Sequence, residues 1–339
     1  MQTLNNAFEE KDNNVSLVKL AAAWLVIAGH AFAFACNYEK TDIMSKFSRG
    51  TYNLGGFAVA VFFFFSGLFI MKSLNFGKLS TAEYFKRRIK RIFPPFIKIT
   101  AAIIVISGIF FTSLSFKDYF TNVNTYKYIL NYIFVPVHYL PGVFENNISG
   151  AVVNGPIWTI KVEVICYIMA YLLYRLHLTT KKSFQYIVLL FIVAAGIIYY
   201  GNTPLSKLAV LVRPAGMFLV GMMYCIYSEY IKLDIYGMLT AAIIYIILMA
   251  AGLPELALFI ALPYFICCVS FLFKECKSVK VIQSAKNSTY EIYLWGGFTG
   301  QAVTAVYGGY MSPWTNMAVT IIIATIAGIL TKKTERLRK

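Results

Sequence analysis

Runs of about twenty apolar residues, parted by short polar connectors, recur along the whole chain. At 1.5 Å of rise per residue a helix of that length matches the roughly 30 Å of hydrocarbon in a bilayer. The runs fall at about 17 to 35, 54 to 74, 92 to 113, 158 to 176, 185 to 200, 208 to 228, 236 to 252, 254 to 273, 287 to 306 and 316 to 331. This pattern predicts an all-α integral membrane protein with about ten transmembrane helices. The longest connector, 114 to 157, is rich in Tyr and Asn and holds an apolar stretch, Tyr128 to Val137, too brief to cross. It is expected to form interfacial or re-entrant helices over a site. With no internal repeat, no low-complexity tract and no appended soluble domain in the pattern, residues 1 to 339 read as one transmembrane unit.

Charge then orients the spans. Starting the chain in the cytoplasm puts 20 basic residues on that side: Lys11, the loop from Lys78 to Arg91, Arg175, Lys181, Lys182, Lys232, the cluster from Lys274 to Lys286, and the tail from Lys332. Six (Lys40, Lys46, Arg49, Lys117, Lys127 and Lys207) fall on the other. Positive charge accumulates on the cytoplasmic side of membrane proteins, so both termini are placed inside. The chain is 59% apolar and 14% charged, with a net charge of +16. In a soluble domain such a charge would suggest nucleic acid; here the basic residues occupy connectors, and no nucleic-acid partner is expected. Glu9, Glu10 and Asp12 replace the basic start of a signal peptide, so the first span is expected to remain in the mature protein. Cys36, Cys166, Cys225, Cys267, Cys268 and Cys276 show no metal or redox spacing and read as small hydrophobes.

Against this background ionisable residues inside the spans carry the chemistry, because each costs roughly 2.5 to 3.5 kcal/mol at a bilayer centre. His30 lies about five residues from the outer end of the first span, and Glu163 about five residues into the fourth from the same side, following Trp158. If those helices are neighbours, the carboxylate would orient the imidazole as a general base toward a hydroxyl. Lys19 and His30, eleven residues apart, share a helix face and stand about 16 Å apart along it. Arg213, followed by Pro214, enters the sixth span at similar depth and would steer a polar substrate. Arg88 and Arg91 share one face of the basic run Lys86 to Arg91, suited to a phosphate-bearing ligand at the cytoplasmic surface. Each feature has a plainer alternative: Lys19 snorkelling to headgroups, His30 bonded to a neighbouring helix, Glu163 paired with Lys161 or Arg213, and the basic run serving as a topology anchor.

Taken together, Lys19 with His30, the stretch Gly55 to Ile70 containing Val61-Phe62-Phe63-Phe64-Phe65-Ser66-Gly67, Arg88-x-x-Arg91 before Ile92 and Pro94, Trp158 with Glu163, and Tyr290 to Trp295 resemble the acyltransferase 3 family of multi-pass membrane acyltransferases. The resemblance covers nearly the whole chain. It implies transfer of an acyl group, commonly acetyl from acetyl-CoA, to a hydroxyl of an envelope carbohydrate at the inner membrane. By the same resemblance Arg88 and Arg91 meet the CoA phosphates while the acyl end reaches toward His30; joined to the residue reading, this makes His30 and Glu163 catalytic, adds Lys19 to Arg88 and Arg91 on the acyl donor, and leaves Trp158 and Arg213 to bind the acceptor or support the site. Acetyl-CoA enters as a substrate; no bound cofactor and no metal are expected, since His30, His138 and His177 lie in separate regions. Two positions depart from the pattern. Lys19 stands where the family often has Arg, which keeps charge but loses bidentate geometry. Leu294-Trp295 is followed by Gly296 where the family often has His, so no role attached to that His carries over. Glu291, nearby, stays outside the catalytic set.

Two readings follow. The first is an O-acetyltransferase acting on a surface polysaccharide or its lipid-linked precursor, with His30 as general base or transient acyl carrier. The second is a transporter or export component for a glycan or polar solute, the same buried charges lining its path. Consumption of acetyl-CoA separates them.

Overall fold

A computed structural model describes residues 2–10, 12–37, 39–77, 79–201, 204–275 and 279–336. Lys11, Lys78, Lys277, Arg338 and Lys339 of the charge count, together with Cys276, lie outside the described residues. Every expected apolar run is helical: α1 Val15–Cys36, α2 Leu54–Phe76, α3 Thr81–Phe110, α4 Trp158–Arg175, α5 Lys181–Tyr200, α6 Ala209–Ile226, α7 Ile235–Ala250, α8 Pro254–Phe271, α9 Thr289–Tyr307 and α10 Pro313–Arg336. Among the described residues eight are long and apolar enough to cross a membrane. The other two explain themselves. α7 is apolar but has only 16 residues. α9 is long enough, but carries Glu291 and Gln301; both are buried inside the bundle, where Glu291 meets Lys332 and Gln301 bonds the carbonyls of Gly150 and Val152. α9 is therefore a protein-enclosed helix, and its polar groups are satisfied by protein.

Local chemistry sets the ends that matter for the site. Asn53 caps α2, its side-chain oxygen accepting from the Gly56 amide at 2.8 Å. Ser80 and Glu83 form a capping box at the start of α3. α3 then runs 30 residues through Pro94 and Pro95. Its length carries Arg88 and Arg91 upward from the connector and into the bundle.

α1, α2, α6, α9 and α10 form the centre, with α3 and α4 packed on one flank and α7 with α8 on another. α2 and α6 cross at two glycines. A Cβ at Gly67 would overlap the Phe218 carbonyl, and one at Gly221 the Phe64 carbonyl. Small residues here let two backbones touch, the usual device where hydrocarbon gives helices little drive to associate. α1 meets the start of α2 likewise: a Cβ on Gly29, beside His30, would overlap the Gly55 amide. By contrast α5 buries only Phe184 and turns apolar side chains such as Leu189, Leu190 and Ile192 outward, as a lipid-facing helix does.

The 112 to 157 connector folds over the bundle as short helices at Phe116–Thr121 and Val123–Lys127 and a tight turn at Tyr128–Ile133. Tyr132 packs edge-on against Phe96 in mid-α3 and donates to the Ile97 carbonyl at 3.0 Å. Asn131 satisfies this turn from inside, donating to the Tyr128 and Val137 carbonyls at 2.9 Å each. The short apolar stretch thus reaches the middle of a membrane helix without crossing. At the opposite end, Gln2–Thr3 pairs antiparallel with Lys232–Leu233, and the Asn14 side chain donates to the Phe273 and Lys274 carbonyls. Lys332 meets Glu291 at the start of α9 on that same end. Cys36, Cys166, Cys225, Cys267 and Cys268 are buried free thiols.

Candidate active site

α1 and α2 run side by side, and two chambers lie along their seam with Val59 in the wall of both. The inner one, about 70 Å³, is lined by Lys19, Ser66, Arg91, Thr159, Glu163, Tyr290 and Tyr293. It gathers two cations and one carboxylate. Arg91 Nη2 stands 3.9 Å from Glu163 Oε1, with the Glu163 side chain 18% exposed and Arg91 46%. The Tyr167 hydroxyl, one helical turn on from Glu163, donates to the same carboxylate and receives Ser66 Oγ at 3.4 Å. Lys19 Nζ lies over the Phe69 and Phe65 rings at 4.7 and 5.4 Å, so its charge is held by aromatic faces. Thr159 and Tyr293 share a 2.6 Å hydroxyl contact that closes the floor.

Arg88 stands just behind. Its Nη2 donates to Ser73 Oγ at 2.9 Å, and its guanidinium lies 5.1 Å from the Tyr84 ring and 5.8 Å from the Tyr167 ring. Its Nε is buried with no hydrogen-bond partner. Tyr167 therefore joins the two arginines, its ring against Arg88 and its hydroxyl on the carboxylate that pairs with Arg91.

His30 lines the second chamber, about 400 Å³, with Asn53, Gly55, Gly56, Trp158, Tyr199 and Arg213. Its Nδ1 is 2.8 Å from the Val26 carbonyl of its own helix. A carbonyl only accepts, so Nδ1 carries the proton and the lone pair of the neutral ring sits on Nε2. Arg213 is fixed from behind. Its Nε donates to both Glu255 oxygens at 3.1 and 3.3 Å, and its Nη2 to Glu255 Oε1 and, at 3.0 Å, to the Thr51 carbonyl. Tyr52 lies beneath the guanidinium at 5.3 Å. Burial first, then the Tyr245 hydroxyl at 3.0 Å and the nearby Glu255, push the Tyr52 phenol above its usual range. With the N-terminus of α2 in the same wall, the chamber holds positive potential facing a basic ring nitrogen.

The expected contact between His30 and Glu163 is not formed among the described residues. The two side chains line different chambers, and the carboxylate is taken by Tyr167 and Arg91 while the imidazole takes a carbonyl of α1. Nor is Glu163 paired with Lys161 or Arg213, the latter belonging to Glu255. Lys19 and Arg91 come together in one chamber, and Trp158 and Arg213 flank His30 in the other. Glu255, Tyr167, Ser66 and Asn53 complete the site and were absent from the sequence-derived set. Tyr167 had a readable signal, its position four residues after Glu163 on one helix face.

Residues 12–332 match the acyltransferase domain family. The chain belongs to that family. Over 183 residues, 54% of this chain, it is also 27% identical to a protein of Shigella phage Sf6 named O-acetyl transferase. The match spans about half, 51%, of that relative's own length. No solved structure matches the chain. With eight helices among the described residues long and apolar enough to cross a membrane, this member of the family is a multi-pass membrane protein.

Proposed function

We propose that the chain is an O-acetyltransferase of the inner membrane that moves acetyl from cytoplasmic acetyl-CoA to a hydroxyl of a cell-surface polysaccharide or its lipid-linked precursor. The observation that carries the reading is the pinned imidazole. His30 Nδ1 on the Val26 carbonyl leaves Nε2 as the basic atom, in a chamber roomy enough for a sugar and walled by Arg213. Family membership and the likeness to a phage protein named O-acetyl transferase support the same chemistry.

In this mechanism the basic end of the bundle, where the 78 to 91 connector lies, faces the cytoplasm. Acetyl-CoA enters there, its phosphates drawn to Arg88, Arg91 and Lys19, the three cations at and behind the inner chamber. Glu163 and Tyr167 hold Arg91 and Arg88 in place. The acetyl thioester extends along the α1–α2 seam toward His30. Nε2 takes the proton of the acceptor hydroxyl as its oxygen bonds to the thioester carbon. The carbon–sulfur bond breaks, CoA leaves as thiolate, and the imidazolium returns the proton to that sulfur. Arg213 and the α2 N-terminus stabilise negative charge as it develops on the acyl oxygen.

The test is CoA release from acetyl-CoA by purified protein given an envelope polysaccharide extract. Wild type is expected to release CoA. His30→Gln is expected to lose about 100-fold or more in rate, as removal of a general base does, while still binding acetyl-CoA. Arg88→Ala is expected to weaken acetyl-CoA binding. Absence of both binding and turnover in wild type refutes the proposal and returns the chain to the transport reading. A trapped acetyl adduct on His30 would assign that ring as acyl carrier instead of base.

A further inference from the structure

Trp158 and Val210 wall the His30 chamber on one side, and on the other they wall a third space, a groove of about 520 Å³. It lies between α3, α4, α6 and the turn after Tyr128. Its lining is mostly apolar, including Phe96, Phe134, Ile165 and Leu211. Three basic side chains interrupt that lining: Lys161 in the first turn of α4, Lys207 just ahead of α6, and His138 from the overlying connector. Both lysines are exposed, and neither makes an ion pair or hydrogen bond to any described residue. His138 Nδ1 is buried without a partner.

The groove has a direction. From Ile165, α4 continues away from the lysines as a strip of exposed apolar residues, with Ile165 48%, Ile168 44% and Leu172 53% exposed. These positions, i, i+3 and i+7, make one helix face turned to hydrocarbon. The space therefore opens sideways to the bilayer, carries unpaired cations near its head, and adjoins the proposed catalytic chamber across one indole. Only a ligand with three parts fits all three properties: an apolar chain, an anionic group and a polar extension.

We infer that this groove admits a lipid-linked acceptor: a polyprenyl-type lipid phosphate carrying a sugar. The apolar chain lies along Ile165, Leu211 and Phe96, the phosphate is met by Lys161 and Lys207, and the sugar passes Trp158 toward His30. That last step rests on the proposed acyltransferase reading; the binding itself does not. An ordinary phospholipid shares the anionic head and the apolar chain, but offers no sugar hydroxyl to the chamber.

The experiment measures binding of a polyprenyl monophosphate to the full chain in detergent by native mass spectrometry, with polyprenol, phosphatidylglycerol and inorganic phosphate as competitors. Each lysine near a membrane surface contributes about 1 kcal/mol toward an anionic lipid, so the double variant Lys161→Gln/Lys207→Gln is expected to lose about thirtyfold in affinity. Lys161→Arg/Lys207→Arg should retain binding, which separates charge from damage to the fold. Leu211→Trp should block the chain and weaken binding with both lysines present. Unchanged affinity in the glutamine double variant overturns the inference. So does equal displacement by phosphatidylglycerol, which would make the groove a general lipid site, or by inorganic phosphate, which would make it a phosphate site only. Wild-type CoA release is measured alongside. Charge-dependent binding without turnover removes the acyltransferase reading and leaves the lipid site standing; turnover with charge-independent binding removes the lipid site alone.

Discussion

Replacing Glu163 by Gln isolates what the carboxylate does. It keeps the shape and an oxygen for the Tyr167 hydroxyl, and removes only the charge. At 3.9 Å from Arg91 the Coulomb term is about 4 kcal/mol at an effective dielectric near 20. Because the Arg91 side chain is 46% exposed, water reduces that to about 1 kcal/mol. Loss of charge assistance in the tyrosine bond adds about 1 kcal/mol. The expected cost is therefore about 2 kcal/mol, read as a lower unfolding temperature. Its kinetic counterpart is a raised KM for acetyl-CoA as Arg91 loosens. The decisive assay is the pH dependence of kcat/KM. Since the imidazole is held by the Val26 carbonyl, Glu163→Gln should leave the acid limb of that profile where wild type has it. A displaced limb, or a loss of about 10⁴ in kcat such as follows loss of a carboxylate that orients a catalytic histidine, would refute the separation of the two chambers.

Two further substitutions probe the frame. Gly67→Leu or Gly221→Leu should cost about 3 kcal/mol or more, because each side chain meets a backbone carbonyl of the crossing helix instead of a movable side chain; thermal unfolding in detergent reads the loss. Glu255→Gln should loosen Arg213 while the Thr51 carbonyl still holds it, lowering kcat several-fold as the developing acyl oxyanion loses support and leaving KM for acetyl-CoA unchanged.

The apolar helices were legible because hydrocarbon thickness acts on composition alone: all ten runs are helical, and eight helices among the described residues are long and apolar enough to cross. α9 shows the limit of that signal. Its Glu291 and Gln301 are tolerated because protein surrounds them, and enclosure is a property of packing that no window of sequence contains. The stretch Tyr128 to Val137 was legible as too short to cross, yet its seat against mid-α3 depends on Tyr132 finding the Ile97 carbonyl, 35 residues back in sequence, while Asn131 closes the turn locally. Lys19, His30 and Glu163 stood out because ionisable groups are costly among apolar ones, and Arg91 because it shares a helix face with Arg88 in a basic run. Which charge meets which did not follow from that cost: depth matched His30 to Glu163, whereas rotation about the helix axes placed Glu163 toward Arg91. Glu255 escaped notice because it sits at a helix start beside Pro254, where a carboxylate at the dipole's positive end needs no other explanation.

The unbroken helix α1, Val15–Cys36, has a consequence for the donor in the proposed reaction. It carries Lys19 in the inner chamber and His30 in the second, so the interval between them is fixed by helical rise. Lys19 and His30 lie about 16 Å apart along α1. A donor anchored by its charge at one end and reacting at the other must itself supply that length. On the proposed reading the protein acts as a ruler: thioesters on arms too short to span the interval would bind or react, but not do both at once.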